Sequence, residues 1–309
     1  MKIAIIGLGD IAQKAYLPVI TARADLELVF CTRSADTLAQ LAKQYRVAQT
    51  CQDYRDVLNM NVDAVMIHAA TKVHYEMAAF FLNHGIATFV DKPLADNATE
   101  VERLYTLATQ VNQPLYVGFN RRHLPLLNQA VPEFAKQQLG QLRSLRWEKH
   151  RFAQPGDVRT FIFDDFIHPL DSVNLNAQAD LDSVDIRIQR QGSQLARLDV
   201  TWQSGETLLA ASMNRQFGTT SERVSVVYEN RALEFDSFVE GREWRESQER
   251  RLALKDWTPM LGSKGFSAMI DDWIHCVSRG QVPIEVIERN IASHRLAEAL
   301  CQRIENANG

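Results

Sequence analysis

Lys2-Ile3-Ala4-Ile5-Ile6-Gly7-Leu8-Gly9-Asp10-Ile11-Ala12 opens the chain with an apolar strand that runs directly into Gly-x-Gly-x-x-Ala. In this arrangement the first glycine makes a tight turn and the second lets the backbone approach a pyrophosphate. Ala12 is small enough for close helix–strand packing. The helix that follows presents unpaired N–H groups and the positive end of its dipole to an anion. Gly7, Gly9, Asp10 and Ile11 are therefore candidate dinucleotide contacts. The Asp10 side chain suits the dipole but not a phosphate, so it is expected to point away. The alternative is a tight strand-to-helix turn without a ligand, and the surrounding pattern favours the dinucleotide.

Moving outward, short apolar runs alternate with helical periodicity. Leu26–Cys31 is followed by Leu38, Leu41, Ala42 and Tyr45 at helical spacing. Val62–Ile67 precedes a helix over His74–His84 that Gly85 closes. Ile86–Val90 precedes a helix with Val101, Leu104, Tyr105 and Ala108 on one face, and Asn97 with Glu100 forms a capping-box start. Leu115–Phe119 reads as one more strand. Repeated strand–helix units whose strands are apolar throughout imply a parallel, doubly wound sheet covered on both faces.

Beyond residue 140 the period changes to two: Ile186/Ile188, Leu198/Val200/Trp202, Val224/Val226/Tyr228, then Leu233/Phe235. Such alternation signals antiparallel strands with one wet face. Helices are expected over Phe266–Val277 and Ile291–Ile304. The fold class is α/β, with a nucleotide-binding domain over 1–120 and a domain with a mostly antiparallel open sheet over 121–309, whose last helix could pack back on the first. The five tryptophans are assigned to core or subunit interface.

With 309 residues the chain can bury sizeable cores, and 34 Lys+Arg against 38 Asp+Glu leave a formal charge of -4. No basic excess points to nucleic acid or a membrane surface, and no stretch approaches the ~18 apolar residues of a membrane span. Cys31, Cys51, Cys276 and Cys301 form no Cys-x-x-Cys pair and no zinc-finger spacing, so no metal site is expected. The apolar start ends at Asp10 without a small-residue cleavage site, so a leader is not expected. A small-molecule partner and a cytoplasmic location follow.

The end of the second strand separates NAD from NADP. A carboxylate there would accept from the ribose 2′-OH and repel a 2′-phosphate, but the sequence reads Cys31-Thr32-Arg33-Ser34. Glu27 falls at the wrong end of the strand. Arg33, flanked by the Thr32 and Ser34 hydroxyls, suits a 2′-phosphate, so NADP is preferred over NAD. At another strand end stands Asp91-Lys92-Pro93. Lysine is costly at a buried strand edge unless it is used, and Pro93 favours extended geometry at Lys92. A desolvated lysine can serve as donor or base, the alternative being a solvated strand-end charge.

Gly7-Leu8-Gly9, Asp91-Lys92-Pro93-Leu94, Gly118-Phe119-Asn120-Arg121-Arg122 and Asp164-Asp165-Phe166-Ile167-His168-Pro169-Leu170-Asp171 occur in the order seen in the Gfo/Idh/MocA oxidoreductases, which this chain resembles along its whole length, and within them the bacterial MviM type. The resemblance implies a Rossmann domain, hydride transfer with a nicotinamide cofactor, and a sugar, cyclitol or related polyol as substrate. It places catalysis on Lys92, Asp164 and His168, with Arg121 beside them at the substrate. It also places Ala69, Ala70, Thr71, His74 and Asp91 with Lys92 at the cofactor edge, and implies a homodimer or homotetramer through the C-terminal sheet. Asp164 and His168 are four apart and can share a helix face. Pro169 fits if that helix has just begun.

Three departures stand out. Asp91 replaces the family's glutamate before the lysine. Ala69-Ala70-Thr71 replaces Thr-Pro-Asn. Phe166 replaces the glycine of Asp-x-Gly-x-His, where its bulk could narrow a pocket or shift the helix register. These departures motivate a rival, a dinucleotide-binding sensor without turnover, and a third reading is reduction of a C=N bond or a linear tetrapyrrole.

Overall fold

Lys2–Ile6, Ala64–Ile67, Ala87–Asp91 and Leu115–Gly118 are buried along nearly their whole length, which only a sheet covered on both faces allows. The computed structural model describes residues 1–179 and 181–306. Its first sheet is all parallel: β1 (Lys2–Ile6), β2 (Glu27–Cys31), β3 (Gln49–Cys51), β4 (Ala64–Ile67), β5 (Ala87–Asp91) and β6 (Leu115–Gly118). They lie in the order β3-β2-β1-β4-β5-β6. The order reverses beside β1, and ligands of open α/β sheets bind at that switch point, outside the carboxyl ends of the strands. The short polar β3 has too little apolar signal to read from sequence.

The helix caps follow local chemistry. Asn97 accepts from the Glu100 amide at 2.9 Å and starts the Ala98–Gln110 helix. Ser34 caps Ala35–Tyr45 by accepting from Thr37 N–H. Gly85, with φ +73°, ends His74–Asn83.

The second sheet has eight strands: β7 (Ser144–His150), β8 (Asp185–Gln191), β9 (Gln194–Ser204), β10 (Thr207–Asn214), β11 (Ser221–Tyr228), β12 (Arg231–Phe235), β13 (Glu240–Arg245) and β14 (Gln248–Ala253). Their order is β14-β13-β12-β11-β7-β10-β9-β8, antiparallel except between β7 and β10. One face is apolar and buried, with Leu145, Trp147, Leu198, Val200, Leu209, Ala211, Val224, Val226 and Leu233. The helix Ile167–Val173, buried along its length, packs on β7 and β10.

The chain forms two compact units. One is Met1–Asn120 with Gly265–Ile287; the other is Arg121–Lys264 with the chain from Glu288 onward. A single division at 120 would assign Gly265–Ile287 to the second region. Packing places it with the first, because the apolar face of Phe266–Arg279 lies against that unit's aromatics. Phe266 meets Tyr16 edge-on at 5.3 Å, and Trp273 lies 6.0 Å from Phe89 and 5.7 Å from Tyr116. Tyr116 also donates to Asp272 at 2.8 Å. Trp147, Trp202 and Trp273 are core residues, whereas Trp257 is 96% exposed and is not.

Candidate functional site

The carboxyl edge of the parallel sheet gathers most of the expected cofactor residues. Gly7 has φ +87°, and a Cβ there would stand 2.7 Å from the Ala69 amide nitrogen. The turn after β1 therefore needs glycine both for its conformation and for its contact with the end of β4. A Cβ on Gly9 would meet nothing within 4 Å. The first helical bond, from Gln13 N–H to Gly9 C=O at 3.0 Å, leaves the amides just before it without a helical acceptor. This open, amide-lined turn fits a dinucleotide pyrophosphate. Asp10 turns its carboxylate to Lys14 at 2.7 Å, and Ile11 is 41% exposed beside it.

At the end of β2, Thr32 donates its amide to Cys51 C=O, and Arg33 C=O accepts from Gln52 at 2.9 Å. The Arg33 side chain is exposed and has no ion pair among the described residues. Glu27 lies at the opposite edge, paired with Lys2 at 3.3 Å and accepting from Gln49.

Around Lys92 the scaffold is tightly held. Asp91 Oδ1 accepts from the Tyr16 hydroxyl at 2.6 Å and from the Lys92 amide at 2.9 Å. Gly118 makes room for this pair: a Cβ there would lie 2.8 Å from Tyr16 Oη and from Phe89. The Lys92–Pro93 peptide is cis, and Lys92 itself is half-buried. His74, 2% exposed, spans two carbonyls, with Nδ1 2.8 Å from Pro93 O and Nε2 2.9 Å from Ala69 O. It thereby ties the ends of β4 and β5 together. Ala70 C=O accepts from the Val73 amide in the short turn that Thr71 opens. Sequence reasoning missed Tyr16 and His68. His68 directly follows β4 with its ring 4.0 Å from Tyr16, and burial, with a smaller contribution from His74, lowers its pKa to about 3.

Asp164 and His168 belong to the other unit, as does Arg121. Helical geometry there begins at Val158, is widened to a π-helix over Thr160–Phe166, and becomes α over Ile167–Val173. The expectation that Pro169 sits where the helix has just begun is corrected: it lies in the first turn of the α segment but well inside the helical run. A proline crowds the carbonyl four residues back, here Asp165, and that residue lies within the widened turn. Asp164 is exposed and His168 is buried. Phe166 is fully buried, 6.4 Å from Phe161, and packs in the core.

Arg121 is held by Glu222 through contacts of 3.2 and 2.8 Å, and Trp147 Nε1 donates to the same carboxylate at 2.8 Å. Asp171 is caged by Arg122 at 2.9 and 2.6 Å, by Ser293 at 2.7 Å, and by Arg289, which also donates to the Asp171 carbonyl at 2.7 Å. Burial works to raise the Asp171 carboxyl, but Arg122 and Arg289 outweigh it and leave it below its ordinary range. This cage pins the helix that carries His168. Among the described residues, no group of His, Cys, Asp and Glu could hold a metal ion and no helix is long and apolar enough to cross a membrane.

Residues 1–119 match the model of the oxidoreductase family with an NAD-binding Rossmann fold, and residues 132–244 match the YceM-like C-terminal domain. The Salmonella typhimurium protein YceM is 33% identical over 97% of both chains. A Gfo/Idh/MocA family oxidoreductase from Vibrio cholerae superposes with a TM-score of 0.98 at 63% identity, covering 100% of this chain and 99% of that one. The dehydrogenase MviM from Clostridium difficile gives 0.87 at 26% identity, covering 99% of each. A myo-inositol dehydrogenase, Hyg17 of Streptomyces leeuwenhoekii, is 27% identical over 56% of this chain and 54% of its own. With its glycine turn at the switch point of a 3-2-1-4-5-6 sheet and matches that run the length of both units, the chain belongs to the Gfo/Idh/MocA family of oxidoreductases.

Proposed function

We propose that the protein transfers hydride between NADP and a carbinol carbon of a sugar, cyclitol or related polyol. The observation that carries this reading is the setting of Lys92: a half-buried lysine at the carboxyl end of β5, its amide held by Asp91 and the next carbonyl engaged by His74. A nicotinamide coenzyme supplies the hydride acceptor or donor when bound. Lys92 donates a hydrogen bond to the substrate oxygen and steadies the negative charge that develops there. His168 takes the hydroxyl proton on oxidation and returns it on reduction, and Asp164 orients substrate or imidazole. The name of the Hyg17 relative supports a cyclitol or sugar. The exposed Arg33 supports a 2′-phosphate, with Glu27 engaged at the far edge.

In this reading the open face of the eight-stranded sheet pairs copies into a dimer or tetramer, and the four buried free cysteines support a reducing cytoplasm. Fluorescence titration is expected to show tighter NADPH than NADH binding, with Arg33→Ala erasing the difference. On a polyol panel, Lys92→Met and His168→Ala are each expected to lower kcat by about 10²–10⁴. Turnover that survives both substitutions overturns the assignment. Coenzyme binding with no turnover on any substrate would favour the sensor instead.

A further inference from the structure

The inward face of β7 runs Leu145, Trp147, Lys149, and then Arg151 just past the strand, so the ladder that begins as core ends as two cations. Both converge on Asp165. Lys149 Nζ is 2.5 Å from Oδ1, Arg151 contacts both oxygens at 2.9 and 3.0 Å, and Arg215 reaches Oδ2 at 3.3 Å. One carboxylate thus receives three cations. Glu222, ion-paired with Arg121, also attracts Lys149, and with that pair counted four cations stand against the two carboxylates Asp165 and Glu222, so positive charge remains in excess. Lys149 carries three N–H groups and is ion-paired with Asp165. Arg215 is 7% exposed, and its Nε has no acceptor.

Removing cations from water is costly unless opposite charge compensates them. The Asp171 cage also holds two arginines on one carboxylate, but none of its charged side chains is more than 7% exposed, so it is sealed. The Asp165 cluster opens outward: the Arg151 side chain is 32% exposed, and Asp164 next to Asp165 is exposed. Asp164 also acts electrostatically on Arg215, which links the cluster to the proposed substrate residue.

We propose that Lys149, Arg151 and Arg215 form a seat for an anionic group, a carboxylate or phosphate ester, carried by the substrate. This deepens the hydride-transfer reading and rests on it for identifying the anion's carrier as substrate. Asp165 takes the Nε edge of the Arg151 fork, and the Nη protons left over, beside the lysine, suit the oxygens of either anion; the partial opening at Arg151 gives it entry.

Isothermal titration of the full chain, kept saturated with NADP so that the glycine turn and Arg33 are filled, with inorganic phosphate, D-glucuronate, D-glucose 6-phosphate and D-glucose tests the seat without requiring turnover. Saturable phosphate binding at one site per chain is expected, with at least one charged sugar binding about tenfold or more tighter than D-glucose. Arg151→Gln is expected to weaken phosphate binding by about tenfold or more, and Arg151→Lys to keep most of it. A thermal melt of each variant separates loss of the seat from loss of the fold. The proposal is overturned if none of the three anions binds saturably, or if anion affinity survives Arg151→Gln and Arg215→Gln together. An anion preference without turnover on any polyol sinks the hydride reading but leaves the seat. Turnover of neutral polyols without an anion preference does the reverse.

Discussion

The carboxyl edge of the parallel sheet and the covered face of the antiparallel sheet order their polar groups by opposite means. At the edge, the order is carried largely by backbone and neutral groups: Gly7 against Ala69, His74 between two carbonyls, and the Tyr16 hydroxyl on Asp91. On the covered face it is carried by charge, with Asp165 and Asp171 each surrounded by cations. The first arrangement depends on close approach and tolerates little added bulk. The second depends on charge balance, and a single lost carboxylate strands several buried cations.

The largest effect is expected where balance is sealed from water. Asp171→Ala leaves Arg122 and Arg289 unpaired in the core and should cost about 3–5 kcal/mol in urea unfolding. A loss below about 1 kcal/mol would mean that water reaches this cage, and the contrast with Asp165 would collapse.

Next comes bulk at the edge. Gly7→Ala forces an L side chain into positive φ and against the Ala69 backbone, and should cost about 2–3 kcal/mol while also weakening coenzyme binding. Unchanged stability would break the claim that the turn is set by close approach.

The smallest effect is a change of slope with pH. Burial, opposed by Glu222, lowers the Lys149 pKa from 10.5 to about 8. Between those values the unfolded chain binds the extra proton, so this residue makes stability rise with pH across the window. The wild-type minus Lys149→Met difference in urea-unfolding free energy should therefore increase by up to about 2 kcal/mol from roughly pH 7.5 to 9.5. A flat difference would place Lys149 in water.

Legibility followed the same divide. The Gly7–Gly9 turn, the Asn97 cap and the alternating strands depend on spacing within a few residues, and each could be read directly. Lys149 and Arg151 were missed although their alternation was visible, because period two says which residues share a face but not that the cover continues past Trp147. Tyr16 and His68 were missed for a related reason: nothing local marks a ring that will meet Asp91 or close the end of β4.

The sequence by itself determined the doubly wound nucleotide half, the strand-rich half and the residue types at the candidate site, because hydrophobic period, capping and glycine turns are local properties. The tertiary structure alone assigned Gly265–Ile287 to the first unit, put Phe166 in the core, widened the helix over Thr160–Phe166, and gathered three cations onto Asp165. Those outcomes depend on which distant surfaces compete for the same apolar face or the same carboxylate, and that competition is settled only when the whole chain packs.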